Sequence, residues 1–179
     1  AFDVRIQGDY GVDAVVTEEE ARAMIERARE FLREAHRIVA GSESTRQALI
    51  RAGIPGRAVV TIPNGVELRS SAGSRERIRA ELGIPADATV VGTVARLCEV
   101  KGQRELLDAV AGLPGLWVVL VGLDLEHGGA YEDLLRRRAS DLGLAERAVF
   151  AGYREDVPAV LEALDVFALP SWIEGMPLV

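Results

Sequence analysis

The chain has 179 residues, 49% of them apolar but only 5% aromatic, so it is long enough to bury a core and leans on the aliphatic side chains that parallel strands under helices use. A formal charge of −7 provides no basic face for nucleic acid, which is excluded as a partner, and any anionic ligand has to be held by local groups. The single cysteine, Cys98, rules out an internal disulfide and a CxxC metal site, and fits a reducing cytosol.

Taken in chain order, the first residues lack an initiator Met and the basic-then-apolar order of a signal peptide, so the start reads as cut rather than targeted. Thr17 with Glu20 forms a capping box that predicts a polar helix to about Glu34. Arg37–Ala40 reads as a short strand and Ser42–Ala52 as a helix stopped at Gly53. Ala58–Ile62 is a strand ending in Pro63-Asn64-Gly65. From Glu67 to Ala88 apolar density drops around Ser70, Ser71, Gly73 and Ser74, with one short charged helix ending near Gly83, which reads as an interdomain linker.

A regular alternation follows. Strands are predicted at Thr89–Ala95, Leu116–Val121, Ala148–Ala151 and Asp165–Leu169, with helices at Lys101–Leu113, Tyr131–Leu142 and Val157–Leu164 between them. That is a run of βαβ units, hence a parallel sheet. The uncharged stretch Ala109–Leu123 is broken by Gly112, Pro114 and Gly115 and falls short of the roughly 20 residues that span a bilayer. Met176-Pro177-Leu178 reads as a helix beginning where the chain stops.

In open parallel sheets ligands bind outside the carboxyl ends of the strands, where helix N-termini aim free N–H groups. Those ends carry Arg96 through Lys101-Gly102, then Gly122, then Gly152-Tyr153-Arg154, then Pro170-Ser171-Trp172-Ile173-Glu174-Gly175-Met176-Pro177. Lys101 at a helix start opposes the helix dipole at about 0.3–1 kcal/mol, a cost that a bound anion offsets. Arg96 and Lys101 suit a pyrophosphate, a fork beside a point charge, although a solvated pair flanking Glu99 fits the spacing too. Gly102 allows close backbone approach, and Glu174 ahead of Pro177 suits sugar hydroxyls or serves the helix dipole alone. Gly122 and Gly128-Gly129 match neither GxGxxG nor a Walker loop and read first as turn chemistry. His36, His127 and the run Arg136-Arg137-Arg138 read as structural or solvated. No Asp-x-Asp pair follows a strand to hold a divalent metal, so no metal site is assigned.

Val94-Ala95-Arg96-Leu97 with Lys101-Gly102, Phe150-Ala151-Gly152, and Pro170-Ser171-Trp172-Ile173-Glu174-Gly175-Met176-Pro177-Leu178 resemble the retaining GT-B glycosyltransferases of family 4, also called group 1. Arg37-Ile38-Val39-Ala40-Gly41-Ser42 and Ile62-Pro63-Asn64-Gly65-Val66-Glu67 resemble the same family, so the likeness covers residues 35–179. It implies an α/β fold of GT-B type: residues 1–68 as the tail of a Rossmann-like acceptor-side domain, 69–87 as linker, and 88–179 as an incomplete donor-binding domain.

The resemblance further implies transfer of a sugar, of hexosyltransferase type, from a nucleoside-diphosphate sugar with retention and without a metal. No cofactor is implied beyond that co-substrate. Arg96 and Lys101 would contact the diphosphate and Glu174 the sugar, helped by amides of Gly175, Met176 and Leu178. Gly152, Tyr153 and Arg154 would lie along the nucleobase, with Gly102 and Gly122 completing the donor contacts. A second glutamate of the family pattern would fall three residues past Val179. The active-site histidine of the first domain matches neither His36 nor His127, so the acceptor, whether glycan, lipid or small molecule, is not readable. The implied setting is cytoplasmic, with peripheral contact at the inner face of the membrane through the remaining domain, and this chain alone is expected to be inactive. A sugar-nucleotide epimerase or phosphorylase of the same fold, or a non-catalytic nucleotide-sugar-binding module, are the alternatives. The presence together of Arg96, Lys101 and Glu174 argues against both.

Overall fold

The computed structural model describes residues 17–34, 37–67 and 71–179, so His36 and the linker residues 68–70 lie outside the described part. The described chain divides into two units, one of residues 17–67 and 174–179, the other of residues 71–173.

In the first unit, α1 (Glu18–Glu34) starts where the capping box requires: Thr17 N donates to Glu20 Oε2 at 2.9 Å and Glu20 N to Thr17 Oγ1 at 3.2 Å. Next, β1 (Ile38–Ala40) pairs in parallel with β2 (Val59–Thr61), and α2 (Glu43–Arg51) connects them. Ser42 caps α2 through Thr45 N at 3.1 Å, and Gly53 takes φ 95° beyond its end. Ala40, Ile54 and Val59 are the small core of this βαβ unit. The tail Glu174–Val179 belongs with this unit and is irregular and exposed. The helix expected at Met176-Pro177-Leu178 is therefore not formed within the chain.

The second unit starts with α3 (Arg75–Glu81) and builds one parallel sheet from β3 (Thr89–Val94), β4 (Leu116–Val121), β5 (Ala148–Gly152) and β6 (Val166–Phe167). The sheet order is β5-β4-β3-β6. Between the strands run α4 (Gln103–Ala111), α5 (Ala130–Asp141) and α6 (Val157–Ala163). Alternation along the strands fixes the layers. Val91, Val118 and Leu120 point to α4 and α5, packing on Leu106, Leu107, Val110, Leu135 and Ala139, while Val90, Val119 and Val121 pack on Val160 and Leu164 on the other face.

The short charged helix expected in the stretch read as linker is α3, and it packs on α6 through Ile78, Ala159 and Ala163. Arg79, 2% exposed, holds it there: its guanidinium reaches the carbonyls of Ala163, Ala86 and Ala88 at 2.8–3.0 Å and the Asp165 carboxylate at 2.8 Å. One sequence expectation changes in this unit: Lys101 does not open α4. It closes a 3-10 turn, Glu99–Lys101, and Gly102 at φ 68° breaks the path before α4 begins at Gln103.

Candidate functional site

The sheet order places the topological switch between β3 and β6, so the loops leaving their carboxyl ends border the crevice where ligands of open α/β sheets bind. These loops touch. Trp172 N donates to Val100 O at 2.9 Å, and a Cβ on Gly102 would stand 2.2 Å from Pro170 O. The Gly102 glycine is thus required by contact between the two loops, at a φ that side chains avoid.

On the other side of β3, pairing with β4 continues past the strands: Ala95 N donates to Val121 O at 3.0 Å and Leu97 N to Leu123 O at 2.9 Å. Gly122, at φ 142°, lies where a Cβ would be 1.9 Å from Ala95 O, and its N–H donates to Gly152 O at 2.8 Å. Its role is close approach of three strand ends rather than a phosphate loop. These ends frame a cleft of about 780 Å³ lined by Val94, Arg96, Gly122, Leu125, Tyr153 and Arg154 among others. That size and mix, an apolar wall with few charges, suit a drug-sized or nucleotide-sized ligand.

The cleft brings together Arg96, Gly122, Tyr153 and Arg154 of the predicted site. Tyr153 is 69% exposed, an open ring face at the rim. Arg154 is not a free cation: it is clamped on Asp156 by two contacts of 2.8 Å and on Glu81, and these carboxylates push its pKa further up. What it offers a ligand is stem and backbone. Lys101 and Gly102 share the β3–α4 loop with Arg96, while Glu174, Gly175, Met176 and Leu178 belong to the exposed tail of the first unit.

Sequence reasoning missed the loop from β4 to α5. Asp124, whose side chain is fully buried, accepts N–H groups from Glu126 at 3.2 Å, His127 at 2.9 Å and Tyr131 at 2.8 Å, so it shapes the loop and caps α5 from outside it. Burial would raise its carboxyl, but the three backbone donors outweigh it and hold the group below the ordinary carboxylate value. Its other neighbour is His127, whose Nδ1 lies 3.4 Å from Asp124 Oδ1. Glu126 in turn accepts from Arg96 Nη1 at 2.5 Å. An Asp two residues past a strand-end glycine and six before a helix is a recognisable loop-and-cap signal. Cys98 is buried, and that burial pushes its thiol up, so it is not a reactive nucleophile. Among the described residues no three His, Cys, Asp or Glu side chains gather into a metal-binding group.

A parallel sheet with a switch-point crevice and a polar-rimmed cleft defines an α/β unit of the kind found in GT-B proteins. The chain belongs to the family Glycosyl transferases group 1, which matches residues 74–179, and Glycosyltransferase Family 4 matches residues 15–70. It is 40% identical over 113 residues to the lipopolysaccharide core biosynthesis glycosyltransferase LpsE of Rhizobium meliloti, covering 56% of this chain and 32% of that protein. Against the D-inositol 3-phosphate glycosyltransferase of Mycolicibacterium smegmatis it is 35% identical over 150 residues, covering 82% and 35%. The crystal structure of Anabaena Alr3699/HepE in complex with UDP-glucose superimposes with a TM-score of 0.78 at 29% identity, covering 90% of this chain and 46% of that one. The chain thus spans about a third of the length of these curated relatives.

Proposed function

We propose that the protein is a glycosyltransferase that moves a sugar from a nucleoside-diphosphate sugar to an acceptor with retention of configuration and without a metal. The observation that carries this reading is the cleft at the carboxyl ends of β3, β4 and β5, with Arg96 at its edge. In this reading the nucleoside lies along Tyr153 and the backbone of Gly152 and Arg154. Arg96 and Lys101 neutralise the diphosphate, which must leave as an anion, and stabilise the charge that develops on it. Glu174 accepts from sugar hydroxyls, and the amides of Gly175, Met176 and Leu178 hold the sugar. Support comes from family membership over residues 74–179 and from the likeness to a structure crystallised with UDP-glucose.

In the same reading residues 1–68 close the acceptor-side domain and residues 69–87 join it to the donor-binding part. The acceptor approaches from the face the diphosphate leaves, at the inner side of the membrane. Among the described residues no helix is long and apolar enough to cross a membrane.

The test uses the full-length protein against a panel of UDP-, GDP- and ADP-sugars, with EDTA present. One of these donors is expected to be consumed, and Arg96→Ala and Lys101→Ala are each expected to lose about 2–4 kcal/mol of transition-state stabilisation. Unchanged turnover by the double variant would refute the assignment.

A further inference from the structure

Arg96 is fixed at both ends. Its carbonyl accepts Gln103 Nε2 at 2.7 Å, and Gln103 is wholly buried. Its guanidinium donates to Glu126 at 2.5 Å, the two side chains being 36% and 17% exposed. Glu126 is itself set by Asp124, the buried carboxylate that takes the backbone N–H of Glu126, of His127 in the same loop and of Tyr131 in the first turn of α5. A carboxylate next to a cation meant for an anionic ligand weakens the field that attracts that ligand. Its compensating effect is order, because a long arginine loses rotamer freedom whenever it is held in one orientation, and a fork already oriented does not lose it again on binding.

We propose that Glu126 is a positioning residue for the transfer reaction: it holds the guanidinium of Arg96 in the orientation in which the fork meets the donor diphosphate, and Asp124 holds Glu126. The inference rests on the donor-site reading above. Glu126 touches no substrate, and its effect passes entirely through Arg96. A lone surface pair would not show this dependence, since exposed ion pairs contribute little and act independently of the chemistry.

The experiment is a double-mutant cycle in the full-length protein, with the donor sugar nucleotide it uses, reading kcat and KM separately. Glu126→Ala is expected to lower kcat/KM about ten-fold, mostly in kcat, with the melting temperature unchanged. The E126Q variant keeps a carbonyl that accepts from Nη1 and is expected to recover to within about three-fold of the parent. In an Arg96→Ala background, Glu126→Ala is expected to change kcat/KM by less than about two-fold, because the residue it orients is gone. Equal losses in both backgrounds overturn the inference. So does a gain in nucleoside-diphosphate affinity for both Glu126 variants, which would make Glu126 a competing anion. Impaired Arg96→Ala with unimpaired Glu126→Ala overturns this inference alone, whereas unimpaired Arg96→Ala overturns the donor-site assignment with it.

Discussion

Replacing Arg79 by Met keeps an unbranched stem of similar reach and removes only the guanidinium, which makes it the sharpest test of how the second unit is held. Four acceptors each lose a donor: the carbonyls of Ala163, Ala86 and Ala88 and one oxygen of Asp165. Removing one member of a buried charged pair costs about 3–5 kcal/mol. Asp165 is not stranded, because Arg75 and the Val90 amide still serve it and its side chain is 31% exposed. The expected loss is therefore at the lower end, about 3 kcal/mol, and with a urea slope of about 2 kcal/mol per molar the midpoint falls by about 1.5 M. Trp117, packed against the core behind β4, reports the transition by fluorescence. Arg77, 58% exposed on the same helix, is the control, and Arg77→Met is expected to move the midpoint by less than about 0.3 M. A shift below about 0.5 M for Arg79→Met would mean that α3 is an appended linker helix and not part of the packed unit.

The Asp165 carboxyl is lowered to about 2, first by Arg75, with the Val90 amide and Arg79 adding to it against burial. A lowered folded-state value means stability that is complete above the ordinary carboxylate pKa and lost as pH falls toward 2. Discounted for solvent screening, it amounts to about 1 kcal/mol, measurable as denaturant midpoints between pH 5 and 2 that shift less in Asp165→Asn. Asp124→Asn leaves a single acceptor oxygen for three amides, so a loss of about 1–2 kcal/mol is expected in thermal melts. Gly122→Ala is expected to cost at least about 3 kcal/mol, since the new Cβ meets Ala95 O at 1.9 Å and φ 142° is hostile to side chains. A melting temperature unchanged by that substitution would contradict the strand-end contact.

Periodicity made the strands and helices of the second unit legible in the sequence, and β4 runs over Leu116–Val121 as predicted. The capping box at Thr17 and the stop at Gly53 were legible too, because each acts within three residues of itself, whereas Ser42, read as the first residue of its helix, is the cap of α2. Illegible were interactions whose partners lie far along the chain. Arg79 sits in the charged run Arg75–Glu81 among residues of the same composition, and only packing of α3 on α6 tells it from Arg77. The Lys101 position was misjudged by two residues: the chain makes a 3-10 turn over Glu99–Lys101, and Gly102, close against Pro170, takes the left-handed region before α4 begins at Gln103. Rim position picked out Arg96, yet Glu126, thirty residues on, carried no signal of its own.

That thirty-residue separation is itself a consequence of register. Val94 stands opposite Val121, and the pairing runs on through Ala95 and Leu97 to Leu123, so the backbone at Arg96 is drawn alongside the loop that follows β4. A side chain other than hydrogen at position 122 would force the two loops apart, and Asp124 then turns the β4 loop tightly enough to return Glu126 toward Arg96. Each step uses a different force: ladder hydrogen bonds for the approach, absence of a Cβ for its closeness, a buried carboxylate for the turn, and charge for the last contact. The cation at the cleft is therefore placed by the parallel sheet itself. Substitutions at Gly122 or Asp124, which lie behind the contact, act on Arg96 through the fold, whereas Glu126 acts on it directly.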